Sequence, residues 1–367
     1  MPALRDPGMI PDATPTRWAD DERDEVRAAI ARVVDDGPWI GGPVVDAFEE
    51  AFATYTELPH LVGCASGTDA LVLAMTGLDL PVGSGILVAG NDGGYAAVAA
   101  RLAGLEPVAY DLDPVTLAPT AATIAAADHP GVTAVTVTHL HGDPLPLDEV
   151  DAWRRRRGIA LIEDAAQAHG ARSNGRHVGA HGDATAFSFY PTKNLGAIGD
   201  AGAVAFLDGD AAARARRLAQ YGWSDKYRAE LPRGRNSRLD ALQAAVLLAR
   251  LPFLDARNQR RREVHARYAA ESSQRLLEQH EGSVAHHAVV VTDRRDELTR
   301  HLTARGVGSA IHYPIAVVRM PGLALDRSST PVAVANAEHV LSVPCTPELT
   351  TDEVDRVVEA LASWGDT

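Results

Sequence analysis

From residue 60 onward the chain repeats one pattern: a short, almost unbroken apolar run, then a stretch of helical character. "HLVGCAS" (60–66) precedes a helix starting at Gly67, "GILVAG" (85–90) precedes "YAAVAARLAG", and "EPVAYDL" (106–112) precedes "TAATIAAA". "VTAVTVTHL" (132–140) is followed by "LDEVDAWRRRR"; "IALIEDA" (159–165), "ATAFSFY" (184–190) and "GAVAFL" (202–207) complete seven runs. Near-continuous apolar runs belong to strands covered on both faces. Parallel strands need long crossovers, and helical crossovers cover the faces of the sheet. The expected fold is therefore α/β, with a mostly parallel seven-stranded sheet flanked by helices.

The flanks read differently. Residues 21–35 form an amphipathic helix with Val26, Ile30 and Val33 on one face, and 44–56 form a second helix after the loop "GPWIGGP". A long helical region near 237–276 leads to "AHHAVVVT" (285–292), "DELTRHLTARG", "VGSAIHYP" (307–314), "EHVLSVP" and a closing helix, "TDEVDRVVEALASW". The expected organisation is an N-terminal arm (1–20), a large domain (21–245) and a smaller C-terminal α/β domain (246–367).

Charge excludes some partners. Lys plus Arg total 35 against 49 Asp plus Glu, a net charge of −14. That field repels nucleic acid and anionic membranes but leaves room for a small anion in a local pocket. Cys64 and Cys345 lie within apolar runs and read as buried thiols, not a disulfide framework. No apolar stretch has the length of a bilayer span. The proline-rich start, "MPALRDPGMIPDATPTRW", lacks the apolar core of a secretory signal, so a cytoplasmic protein is expected.

In open parallel sheets, ligands sit beyond the carboxyl ends of the strands. Three features fall there. Ser66, Gly67 and Thr68 in "CASGTDAL" join a strand to a helix, where free N–H groups bind anions. A serine there is also an ordinary helix cap. Asp164 in "LIEDAAQAHGA" ends a buried run, with Gln167 three residues on; it could hold a cationic group or cap a helix. In "SFYPTKNLGAIGDAGA", Ser188 ends a strand and Lys193 follows in a loop of small residues, almost without neighbouring charges. Lysine forms Schiff bases, and pyridoxal phosphate (PLP) enzymes pair such a lysine with an acid at the pyridinium nitrogen. Anion cradle, acid and amine occur in that order at successive strand ends.

These segments resemble the DegT/StrS family of sugar aminotransferases, of the aspartate-aminotransferase-like fold. "GPWIGGPVVDAFEEAFATY", "ASGTDAL", "EDAAQAHGA", "FSFYPTKNLGAIGDAGAV", "NSRLDALQAAVL" and "HYP" match family signatures in order, from about residue 20 to 363. The resemblance implies that Lys193 forms the internal aldimine with PLP and shuttles protons. It implies that Asp164 keeps the pyridine nitrogen protonated and that Gln167 lies near the phenolic oxygen. Gly67, Thr68 and Ser188 would hold the phosphate. Asn236 would reach the phosphate of a neighbouring subunit, implying a homodimer with shared sites. His312 and Tyr313 would lie near the substrate. The implied reaction moves an amino group from glutamate or glutamine to a keto-sugar, a nucleotide-linked keto-deoxysugar first and a cyclitol ketone second.

Two departures stand out. Family members carry an aromatic that stacks on the cofactor ring in the segment written here as "VAGNDGGYAAV"; Gly93 or Gly94 takes that place, with Tyr95 displaced by one or two residues, so either Tyr95 binds the cofactor ring by a shifted backbone or that ring face is open or covered by something else. The family's "HLYG" reads "HLHG", with His141 replacing tyrosine. Other readings carry less. His139 and His141 share a strand face by period-2 spacing and Asp143 follows, but no HExxH or cysteine cluster accompanies them, so a polar strand end is expected and no metal. The "RRRR" run (154–157) closes a predicted helix. A non-catalytic binding protein on the same fold would not need Lys193. A related sugar dehydratase branch typically replaces that lysine with histidine.

Overall fold

The structure is a computed structural model that describes residues 8–325 and 329–365. Residues 1–7 of the expected arm lie outside the described residues. The seven apolar runs become β1 (His60–Cys64), β2 (Gly85–Ala89), β3 (Glu106–Tyr110), β4 (Val132–Thr138), β5 (Ala160–Asp164), β6 (Ala184–Ser188) and β7 (Gly202–Phe206). They form one sheet in the order β1-β7-β6-β5-β4-β2-β3. Only β7 runs against its neighbours, β6 and β1; the other pairs are parallel. The reason is the connection. No helix separates β6 from β7, so the chain can only turn back beside the strand it has left.

β2, β6 and β7 are buried along their whole length, as unbroken apolar runs require. Helices α1 (Asp20–Asp36) and α2 (Pro43–Thr56) cover one face together with the helix Ala241–Arg250. Here Phe52 meets Phe187 and Phe189 edge-on, at ring separations of 5.0 and 5.3 Å. Helices α3 (Gly67–Gly77) and α4 (Tyr95–Ala103), with the helix Gly209–Leu218, cover the other face. A separate core around Tyr268, Leu298, Leu302 and Leu341 belongs to the C-terminal part, whose strands β8 (Ala288–Val291) and β9 (Val340–Val343) pair antiparallel. Both cysteines are buried and free. No helix among the described residues is long and apolar enough to cross a membrane.

Two expectations need correction. The long helical region is two helices, Ala241–Arg250 and Leu254–Glu271, joined by the 3-10 turn Leu251–Phe253, because Pro252 has no N–H to continue the α-helical ladder. β4 ends at Thr138, and Leu140–Gly142 form a 3-10 turn in which His141 has φ 64°. His139 and His141 therefore share no strand face. β8 begins only at Ala288, so His286 and His287 precede the strand.

One buried charge cluster ties these layers together. Glu22, in the first turn of α1, is 1% exposed. Its carboxylate accepts from Arg250 Nε at 2.7 Å and Arg257 Nη1 at 2.9 Å. Arg250 also donates to the carbonyl of Gly196, in the loop that carries Lys193. Removing one member of such a cluster strands the others without compensation. Glu22→Ala is expected to cost about 3–5 kcal/mol. Arg27→Ala, at an exposed pair with Asp24, is expected to cost about 1 kcal/mol or less. Urea unfolding followed by circular dichroism would measure both.

Candidate active site

The carboxyl ends of β1, β5 and β6 converge on one cavity of about 520 Å³. At β1 the chain enters α3 through Ser66, whose extended backbone makes it the N-cap. The Ser66 hydroxyl accepts the Asp69 N–H at 3.2 Å, and its carbonyl accepts the Ala70 N–H at 2.9 Å. The N–H groups of Gly67 and Thr68 meet no protein acceptor among the described residues. Ser66 is thus an ordinary cap, and the two amides beside it remain free for an anion at the positive end of the helix. Gly67 is required by contact: a Cβ there would lie 2.5 Å from Ser188 Cβ. That closeness brings the Ser188 hydroxyl, at the end of β6, to the same corner.

β5 delivers two carboxylates in succession, and strand alternation sends them to opposite faces. Glu163 turns away from the cavity. It accepts the N–H groups of Gly179 at 2.6 Å, His181 at 2.9 Å and Gly182 at 2.6 Å. It also accepts from His139 Nε2 at 2.9 Å; because His139 Nδ1 accepts the Leu145 N–H, Nε2 carries the proton. Asp164 lines the cavity and is 4% exposed. Burial pushes its carboxyl up, while the Ala166 N–H at 3.0 Å and the Lys193 charge hold it back.

Lys193 sits in the β6–β7 loop, with its side chain in the cavity. Burial pushes its amine down to about 8, opposed by the charge of Asp164. It forms no hydrogen bond or ion pair among the described residues. Its loop, by contrast, is closely held. The Lys193 N–H donates to Tyr190 O at 2.8 Å and the Ala197 N–H to Phe189 O at 2.8 Å. Asn194 donates to Asn258 Oδ1 at 2.8 Å and Val284 O at 3.1 Å, so its oxygen accepts His286 Nδ1–H at 2.7 Å. The amine is free while the backbone under it is fixed.

Gly67, Thr68, Tyr95, Asp164, Gln167, Ser188, Lys193, His312 and Tyr313 all line this cavity. Gln167 accepts the His141 N–H at 2.7 Å and donates to Tyr313 Oη at 3.1 Å. Tyr95, the first residue of α4, is 50% exposed. Asn236 is not in the lining; it lies exposed and accepts from Arg238 Nε at 3.0 Å.

Three further residues belong to the site. Asp92 is buried in the lining, and burial pushes its carboxyl up to about 7. His286 and His287 reach the cavity because β8 starts after them; the His287 ring stacks on His312 at 3.9 Å and 12°. Burial and the Lys193 charge push His312 down to about 4. The only sequence signal was the pair of adjacent histidines in "AHHAVVVT".

The model of the DegT/DnrJ/EryC1/StrS aminotransferase family matches residues 20–362. A dTDP-3-amino-3,4,6-trideoxy-alpha-D-glucose transaminase of Streptomyces venezuelae is 41% identical over 355 residues, 94% of this chain and 93% of its own. The crystal structure of S. venezuelae DesV in complex with a ketimine intermediate superposes with a TM-score of 0.93 at 38% identity, covering 98% of this chain and 99% of that one. Bacillus subtilis ntda with bound cofactor PMP superposes with a TM-score of 0.89 at 26% identity, covering 97% of this chain and 85% of that one. The matched span, residues 20–362, includes every strand of the central sheet and the whole cavity lining. This chain belongs to the DegT/DnrJ/EryC1/StrS aminotransferase family.

Proposed function

We propose that the chain is a PLP-dependent aminotransferase that moves an amino group from glutamate or glutamine to a keto-sugar, a nucleotide-linked keto-deoxysugar. The observation that carries this reading is the pairing of an unpartnered amine of lowered basicity with a buried carboxylate in one cavity. The residues present fit the cofactor. The free amides of Gly67 and Thr68 and the Ser188 hydroxyl would take its phosphate, and the close Gly67–Ser188 contact leaves no side chain in their way. Asp164 would hold a proton at its ring nitrogen. Gln167 keeps one amide hydrogen beyond the one donated to Tyr313, available to its phenolic oxygen. When bound, PLP supplies an aldehyde for the Lys193 amine and an electron-withdrawing ring.

The chain's own residues then divide the work. Lys193 is nucleophilic only when neutral, and its lowered pKa puts a substantial neutral fraction within reach of physiological pH. With the cofactor bound, the same amine would be the group that moves the proton at the substrate carbon that gains or loses nitrogen. The rigid loop under it keeps that carbon and the amine in register. The nucleotide-sugar assignment draws on the Streptomyces venezuelae transaminase. We read residues 21–245 as the cofactor-carrying domain and 246–367 as the source of the histidine wall. Asn236, exposed and off its own cavity, is read as serving the phosphate of a second copy in a cytoplasmic homodimer.

Four results test this reading. Adding PLP to the protein is expected to produce a visible absorption band that Lys193→Ala abolishes; no band in the unsubstituted protein overturns the reading in favour of a non-catalytic one. The amine is protonated below its pKa, so the rate at which the band grows is expected to rise through about pH 8 and level off above it, as stopped-flow mixing would show. Asp164→Asn cannot hold the ring proton by charge and is expected to lower turnover by about 10²-fold or more. A panel of nucleotide-linked keto-sugars, cyclitol ketones and simple keto acids, assayed with ¹⁵N-labelled glutamate and glutamine, names the acceptor; transfer to simple keto acids alone overturns the sugar assignment.

A further inference from the structure

In the loop after β2, positions 93 and 94 cannot themselves present an aromatic ring to the cavity. Asp92 caps α4 from within the loop: one carboxylate oxygen accepts the Gly94 N–H at 2.8 Å and the other the Ala96 N–H at 3.3 Å. The loop closes over this carboxylate with Gly93 at φ 77° and Gly94 at φ 85°, a conformation strained for any residue with a side chain. The space is also taken. A Cβ on Gly93 would stand 3.0 Å from Cδ1, Cε1 and Cζ of Tyr313, and one on Gly94 would stand 2.8 Å from Met320 Sδ. The volume that a side chain at position 93 would enter is therefore filled by the ring of Tyr313, a residue 220 positions further along the chain.

That ring is held from several sides. Its hydroxyl accepts from Gln167 Nε2 at 3.1 Å, and Gln167 is pinned by the His141 N–H at 2.7 Å. The His312 ring stands perpendicular to it at 5.4 Å, and the Tyr95 ring meets it edge-on at 5.9 Å and 70°. Tyr95 is half exposed, whereas Tyr313 is half-buried and lines the same cavity as Asp164 and Lys193. We propose that Tyr313 supplies the aromatic face that covers the cofactor ring in this chain, replacing the side chain that Gly93 lacks, with Tyr95 as its edge support. The assignment rests on the PLP reading above. It moves Tyr313 from the substrate to the cofactor, and it makes Gln167 the link between the covering ring and the cofactor's phenolic oxygen.

The test is PLP affinity, read from a titration of the visible band, with band position as a second readout. Tyr313→Leu is expected to weaken PLP binding about tenfold, which is about 1.4 kcal/mol, and to shift the band, because a desolvated ring contact is lost. Tyr313→Phe keeps the ring and is expected to bind within about twofold of the unsubstituted protein. Equal affinity in Tyr313→Leu overturns the proposal, as does an equal loss in Tyr313→Phe, which would assign the effect to the hydroxyl. A tenfold loss in Tyr95→Leu with none in Tyr313→Leu overturns it in favour of Tyr95. A readout that avoids a folding defect uses fluorotyrosine-labelled full-length protein. The ¹⁹F resonance of Tyr313, identified by its absence in Tyr313→Phe, is expected to move on PLP addition through the ring current of the cofactor, and an unmoved resonance overturns the proposal. Absence of any band in the unsubstituted protein removes the PLP reading itself, and this assignment with it; a normal band with indifferent Tyr313 variants removes this assignment alone.

Discussion

An amine buried without a partner has to be held by something other than its own interactions, and in this chain the holding is done by backbone. The Lys193 side-chain amine gains nothing from hydrogen bonding among the described residues, and desolvation works against its charge. The loop around it compensates. Asn194 reaches to the helix Leu254–Glu271 and to Val284, Arg250 clamps the Gly196 carbonyl, and Glu22 anchors Arg250 from α1. The first turn of the first helix and the start of the C-terminal region thus fix the partly buried loop between β6 and β7. The missing helix between those strands, which makes β7 antiparallel, is also what leaves this loop free to enter the cavity.

The neighbouring strand solves a related problem with two adjacent acids. Glu163 and Asp164 are both buried, yet Glu163 is saturated with four donors and Asp164 has one N–H and the lysine charge. The saturated carboxylate pins the end of β5 and the turn at 179–182. The under-satisfied one is left for chemistry. A buried carboxylate with spare acceptor capacity is costly unless a cationic group arrives to use it, which is the physical content of the proposed ring-nitrogen partnership.

Much of this was legible in the sequence, and the reason is locality. Seven apolar runs announced seven strands, and helix starts at Gly67 and Tyr95 followed from small residues after strand ends. Asp164, Ser188 and Lys193 were legible because strand ends of a parallel sheet must share one edge. Errors arose where the outcome depended on tertiary contacts. His139 and His141 were placed on one strand face, but β4 ends at Thr138 and His139 turns to Glu163. His286 and His287 carried no expected role in the sequence; β8 begins after them and their rings line the cavity.

By itself, the sequence determined the α/β class, the strand count and the set of polar residues at the strand ends, because burial on both faces and the direction of parallel strands are encoded in short stretches. Only the tertiary structure decided what each of those residues faces. The pattern left the place at Gly93 vacant; folding brought the ring of Tyr313 against it from the far end of the chain, a contact of high sequence separation that no local periodicity can announce. The same is true of Asp92 and of the Glu22–Arg250 clamp, whose burial depends on which surfaces meet.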